Sequence, residues 1–142
     1  IDVTNTEWLF GGADKMALEL QGKIFEKTGL TCSVGVGYSK MSAKLAAGMI
    51  KPSGYFNMDT REKWLEVMSP KPVEKISGIG DKTQERLNAL DIYTIKDLQD
   101  ADPFILKREF KKICSEWLHA VTWGYDEREV ISDYTELSLR SA

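Results

Sequence analysis

The chain has 142 residues, 42% of them hydrophobic, with 19 basic against 22 acidic side chains and a net charge of −3. That is enough apolar material for the core of one ordinary domain or two small ones, and the charge argues against the overall basic field of a general nucleic-acid binder. No apolar run reaches the roughly 18 residues of a membrane span and no basic-then-apolar leader is present, so no membrane partner is expected and the cytoplasm is the default location.

In chain order, Ile1 to Thr4 reads as the tail of a strand with nothing ahead of it to pair with, which suggests a truncated start. Thr6 to Lys27 is mostly helical, with Met16, Leu20 and Ile24 repeating every four residues, Gly11-Gly12 marking a break and Gly29 placed as a C-cap. Thr31 to Gly37 alternates as a buried strand with Cys32, Val34 and Val36 on one face. Ser39 then sits where an N-cap belongs, Met41, Leu45 and Met49 form the apolar stripe of a helix, and Pro52 ends it. A short strand, Tyr55 to Met58, and a helix, Arg61 to Met68, complete a layered α/β or α+β unit.

The proline-marked linker Ser69-Pro70-Lys71-Pro72 is the expected domain boundary. Beyond it strand signals vanish. Helices are expected at Val73 to Ile76, Lys82 to Leu90, Ile95 to Gln99, and from Pro103 to about Trp123. For the last, Asp102 is the N-cap, Pro103 the first helical residue, Leu106, Phe110, Ile113, Trp117 and Val121 the buried stripe, and Gly124 the stop. Asp126 to Ala142 reads as an acidic linker. Cys32 and Cys114 have no Cys or His at ligand spacing and read as reduced core residues.

Charge is local. Residues 31 to 51 hold Lys40, Lys44 and Lys51 and no acid. Continued as one helix, Lys44 and Lys51 fall within roughly 40° of Lys40, opposite the apolar stripe. Gly35, Gly37 and the Ser39 cap put unpaired N–H groups beside them, an arrangement that suits phosphate. A plain solvated face fits the same pattern, and both readings stay open.

Ile76-Ser77-Gly78-Ile79-Gly80, then Asp81-Lys82-Thr83 and a helix with Leu87 and Leu90 inward, is a helix-hairpin-helix signature. A side chain at Gly78 or Gly80 would hold the backbone away from a sugar-phosphate chain, and N–H groups at the start of the second helix can take a phosphate oxygen, helped by Lys82. Such contacts position a duplex without reading its bases. An ordinary αα-turn that needs glycine for space is the plainer reading. Elsewhere His119 has no nucleophile or metal partner in sequence reach and reads as structural or surface. Asp2 is a lone carboxylate and makes no two-metal site. The tryptophans and tyrosines read as core. No Walker loop, nucleophile elbow or paired-Cys motif is present, so no catalytic and no metal-binding residue is expected.

The run Gly29-Leu30-Thr31-Cys32-Ser33-Val34-Gly35-Val36-Gly37, then Ser39-Lys40, Ala43-Lys44-Leu45-Ala46 and Lys51-Pro52-Ser53-Gly54, resembles the palm of Y-family (translesion) DNA polymerases of the DinB/UmuC type. Val73 to Gly80, Leu87-Asn88-Ala89-Leu90 and Tyr93 to Leu98 come next in order and resemble that family's thumb hairpin. The resemblance departs from the family pattern at Ser39, Ser77 and Asp91, where asparagine, proline and glycine are common. It implies an α+β chain, with a partial palm of strand and helix layers over residues 1–70, an all-α helix-hairpin-helix thumb over 71–134, and the start of a linker to a little finger domain over 135–142.

The resemblance further implies that the longer protein is a template-directed nucleotidyltransferase copying damaged DNA. Its partners are primer-template DNA, dNTPs and a sliding clamp. Lys51 takes the triphosphate contact, Lys44 and Lys40 lie near the nucleotide or DNA, and Gly78, Gly80, Lys82 and Thr83 grip the DNA backbone. The family's Mg²⁺ ligands are an acid near its N-terminus and an Asp-Glu pair that would precede Ile1. None is in this chain, which by itself is expected to be inactive. The alternative is a non-enzymatic helix-hairpin-helix adaptor for DNA.

Overall fold

A computed structural model describes residues 1–131. Its nucleus is a β-α-β unit. Strand β1 (Ser33–Gly37) feeds helix α2 (Lys40–Met49), which returns the chain to strand β2 (Gly54–Met58), parallel to β1 with Val34 opposite Tyr55 and Val36 opposite Asn57. Parallel pairing demands such a crossover, and α2 is the element that spans it. The strand pleat divides the two-stranded sheet into two faces.

On one face, α2 rests directly on β1. A Cβ at Gly35 would overlap the Ala43 carbonyl and the Ala47 nitrogen, and one at Gly37 would overlap Ala43 N and Ser42 Oγ. These glycines let two backbones touch. Met41, Ser42 and Ala46 of α2 are buried there with Met58 of β2, while Met49, expected in the stripe, is exposed. The other face carries Tyr55 and Asn57. It receives helix α1 (Ala13–Thr28), whose Asp14 carboxylate accepts from Asn57 Nδ2 and whose Gln21 Nε2 donates to Cys32 O at 2.7 Å and Gly54 O at 2.6 Å. A short 3₁₀ turn, Glu7–Phe10, precedes α1, and Gly29 ends it with φ 70°. Ile1 to Thr4, expected as a strand tail, is not a strand, because no neighbouring strand exists among the described residues to pair with it.

Helix α3 (Arg61–Met68) starts on the Thr60 cap, whose Oγ1 accepts from Lys63 N, and buries Trp64 and Met68. Five further elements complete the described chain: a 3₁₀ turn (Val73–Lys75), α4 (Asp81–Asn88), α5 (Ile95–Asp100), α6 (Pro103–Glu109) and α7 (Lys112–Thr122). Asp91 takes φ 58° behind α4, the left-handed end that Asp tolerates. One buried cluster runs from Met41 and Trp64 through Val73, Ile76, Leu87, Ile95 and Leu98 to Leu106, Phe110, Leu118 and Val121. The expected boundary near residue 70 therefore falls within continuous packing.

The single helix expected from Pro103 to Trp123 is two helices. Its start is as read: Asp102 Oδ1 accepts from Phe104 N at 2.8 Å and Pro103 opens the first turn. At Phe110 and Lys111 the backbone turns extended, with ψ 148° and 151°. The break buries the Phe110 ring, over which the Arg86 guanidinium lies at 4.3 Å while its Nε donates to Glu109 Oε1 at 3.0 Å. It also shifts the helical phase of α7. Leu118, Val121, Ser115 and Thr122 turn inward, and Ile113, expected in the stripe, is 83% exposed. Trp8, Tyr93 and Tyr125, expected in the core, are also exposed. Cys32 and Cys114 are free and half-buried. The linker expected over 135–142 lies outside the described residues.

Candidate nucleic-acid interface

The glycine-turn-helix before α4 is open. Gly80 has an ordinary φ of −94° and is exposed, and a Cβ there would meet nothing within 4 Å. The Gly80 carbonyl accepts from Thr83 N at 2.9 Å and Gln84 N at 3.0 Å. The N–H groups of Asp81 and Lys82 have no acceptor among the described residues, and no side chain caps the helix. Lys82 is exposed and Thr83 half-buried at the first turn. Two free N–H groups, the positive end of the helix dipole and one ammonium group thus face solvent together.

Gly78 differs from Gly80, although the sequence treats them alike. It holds φ 112°, and a Cβ would stand 2.8 Å from two carbons of the Trp117 indole. Here glycine is required by the hairpin's own conformation and by packing on α7, with or without a ligand.

The turn before α2 is closed. Ser39 Oγ accepts from Ser42 N at 3.2 Å, and Ser42 Oγ accepts from Ser39 N at 2.9 Å. Met41 N donates to Asp126 Oδ2 at 2.9 Å. The N–H groups expected to be unpaired beside the lysines are therefore largely taken by the protein itself. That Asp126 carboxylate, with a side chain 4% exposed, also accepts from Arg128 Nε at 2.6 Å and Nη2 at 2.9 Å. The Arg128 bond, reinforced by the Met41 N–H, holds its carboxyl below the usual value against the opposing effect of burial.

The three lysines do not share a helical face, because α2 stops at Met49 and Lys51 lies beyond it at a cis Lys51–Pro52 peptide. The residue before proline is pushed away from helical backbone. With ten residues, α2 is about 15 Å long, and Lys40 and Lys51 lie toward its opposite ends. Lys44 and Lys51 are exposed. Lys40 Nζ donates to the Glu129 carbonyl at 3.0 Å. The lysines mark a line along the helix and do not converge on one point.

The described residues hold no group of three His, Cys, Asp or Glu side chains able to share a metal ion. Asp2 is instead turned onto its own chain, accepting from Thr4 N at 2.9 Å. The described residues do not fit the Mg²⁺ pair that the family resemblance implies. His119 is exposed beside a shallow crevice lined also by Pro103, Leu106, Lys107, Ser115 and Glu116, and no helix among the described residues is long and apolar enough to cross a membrane.

The sequence reading missed the groups that return the end of α7 to the sheet. Gly124 takes φ 79°, and a Cβ there would lie 2.8 Å from Trp64 Cδ1. Its carbonyl accepts from Tyr38 Oη at 2.6 Å. Burial pushes the Tyr38 phenol up to about 12, so it stays a donor at any ordinary pH. Arg61 Nε donates to Trp123 O at 3.1 Å and its guanidinium lies 4.6 Å from the Tyr125 ring centre. Only the glycine after the helix gave a sequence signal.

Comparison with known proteins agrees with this architecture. The family model described as the impB/mucB/samB family matches residues 1–48. The chain is 38% identical over 130 residues to a DNA polymerase IV of a Marinomonas species, covering 92% of this chain and 36% of that protein. It is 36% identical over 126 residues to a DNA polymerase IV of Pelotomaculum thermopropionicum, covering 89% and 31%. The structure of DinB from Sulfolobus solfataricus superposes with a TM-score of 0.73 at 27% identity, covering 86% of this chain and 36% of that one. A Y-family DNA polymerase chimera, Dbh-Dpo4(243-245)-Dbh, superposes with a TM-score of 0.78 at 27% identity, covering 90% and 38%. The chain spans about a third of the length of the curated relatives it matches. By motif order, family model and α+β fold together, it belongs to the Y-family DNA polymerases of the DinB/UmuC type.

Proposed function

We propose that this chain supplies the rear palm (residues 1–70) and the thumb (71–134) of a translesion DNA polymerase that adds dNTPs to a primer opposite damaged template. Within it, Gly80, Lys82 and Thr83 hold the DNA backbone, Lys51 contacts the triphosphate of the incoming nucleotide, and Lys44 and Lys40 lie along the path between nucleotide and DNA. Gly78 serves the hairpin by shaping it. The observation that most favours this reading is the open Gly80 turn, whose unaccepted N–H groups point to solvent beside Lys82. A backbone held this way meets phosphates of any sequence, as a polymerase that moves along its template requires.

Two-metal nucleotidyl transfer needs a carboxylate cluster that the described residues do not offer, so Mg²⁺, primer-template and a sliding clamp are partners proposed for the longer protein. The 142 residues by themselves should not extend a primer. Lys51→Ala, placed in the polymerase that carries this chain, should raise KM for dNTP about tenfold, roughly one lost charge-assisted bond to phosphate, and leave duplex affinity within about twofold. Steady-state primer extension and duplex binding, measured side by side, check this. Equal losses in both would overturn the role of Lys51.

A further inference from the structure

We infer that residues 122–129 are a clasp that fixes the thumb on the palm, with Asp126 as its latch: a positioning residue that makes the α2 lysines and the Gly80 hairpin one rigid binding surface. It rests on the reading that both sets of groups meet the same DNA.

The segment is bonded to both parts of the molecule. The Thr122 carbonyl accepts from Gln99 Nε2 of α5 at 2.7 Å and lies 3.5 Å from Trp64 Nε1 of α3. One residue later Arg61 takes the Trp123 carbonyl, then Tyr38 takes that of Gly124, and Lys40 reaches Glu129 O at 3.0 Å. Gly124 has no substitute here, since its positive φ and its contacts with Tyr38 and Trp64 both forbid a side chain. Its turn brings Asp126 onto the α2 N-terminus.

Asp126 does what a capping residue does from 85 positions away. Its carboxylate meets the Met41 N–H at the positive end of α2, and the Arg128 fork compensates a charge otherwise costly to bury. One oxygen pair thus ties the end of the thumb to the helix that carries Lys40 and Lys44. Two sets of phosphate contacts on a rigid body bind together, whereas on a loose joint the second set gains only the effective concentration that the joint allows.

The test is duplex binding by the full 142-residue chain, below the unfolding temperature of each variant. Asp126→Ala should weaken binding about tenfold, less than the roughly 10²–10⁴-fold that complete loss of one of two linked sites produces, because the continuous core still joins the two parts. It should also halve the effect of Lys44→Ala on affinity, because the lysines no longer engage together with the hairpin. Asp126→Asn, which keeps a capping oxygen, should restore most of the affinity. Should Asp126→Ala fold too poorly to assay, Arg128→Ala, which loosens the latch from its far side, should reduce affinity and the Lys44→Ala effect in the same direction. A lowered melting temperature with unchanged affinity and an unchanged Lys44→Ala effect would overturn the clasp alone. Absence of duplex binding by the unaltered chain would overturn both the clasp and the DNA reading beneath it.

Discussion

Two glycine turns lead into two helices in this molecule, and they are built for different ends. Before α2, Gly35 and Gly37 lie against the helix backbone, and the helix start is filled by Ser39 and by Asp126 from the far end of the chain. Before α4, Gly80 faces open space and the helix start is empty. Glycine, turn and nearby lysine look the same in both sequences. Whether such a unit is a packing joint or a phosphate cradle depends on what stands opposite the missing Cβ, and only the folded chain supplies that.

The contrast breaks most sharply at Gly37. Gly37→Val would drive a branched side chain into the α2 backbone and should cost about 3 kcal/mol or more, enough to unfold a marginal domain. Thermal unfolding reads this directly, and a folded variant of normal stability would contradict the backbone contact. Phe110→Ala should come next with a loss of about 3 kcal/mol for a buried aromatic, visible as a lower urea midpoint with an unchanged slope. Gly78→Ala combines a positive φ with the Trp117 clash and should cost about 2 kcal/mol.

The latch carries a pH signature. The Asp126 carboxyl is held low in the folded chain, first by Arg128, so its folded value lies below its unfolded one. Its stabilisation is then full above the unfolded value and fades as pH falls through the folded one. Asp126→Ala should cost about 1 kcal/mol at neutral pH, and the gap to the unaltered chain should shrink below about pH 4. A gap that widened in acid would reverse the assignment. The smallest stability effect belongs to Gly80. Gly80→Val should change unfolding free energy by no more than about 0.5 kcal/mol, since φ −94° and the surrounding space accept a side chain.

Much of the fold was legible. The α3 span reads from Arg61 to Met68 in sequence and in structure alike, and the Asp102-Pro103 start and Gly29 stop agree because caps are local chemistry. The break at Phe110-Lys111 was not legible, since neither residue is a helix breaker. A buried ring beneath Arg86 is a tertiary reason, and it also explains why Ile113 lies on the solvent side. Lys51 could have been kept off the helix, because Pro52 already disfavours helical backbone before it. Asp126 could not have been found: in sequence it is one acid among several in a polar tail, and its partners are Met41 and Arg128 only once Gly124 has turned the chain. The Gly80 turn was legible as a place, yet its separation from Gly78 needed the Trp117 contact.

Duplex affinity against salt, compared for the unaltered chain and Gly80→Val on two unrelated sequences, tests the hairpin most directly. The open turn predicts that the variant loses several-fold in affinity on both sequences alike and that its log–log slope is shallower by about 0.9 for each phosphate contact given up. A folded Gly80→Val chain with the original affinity and slope would contradict it.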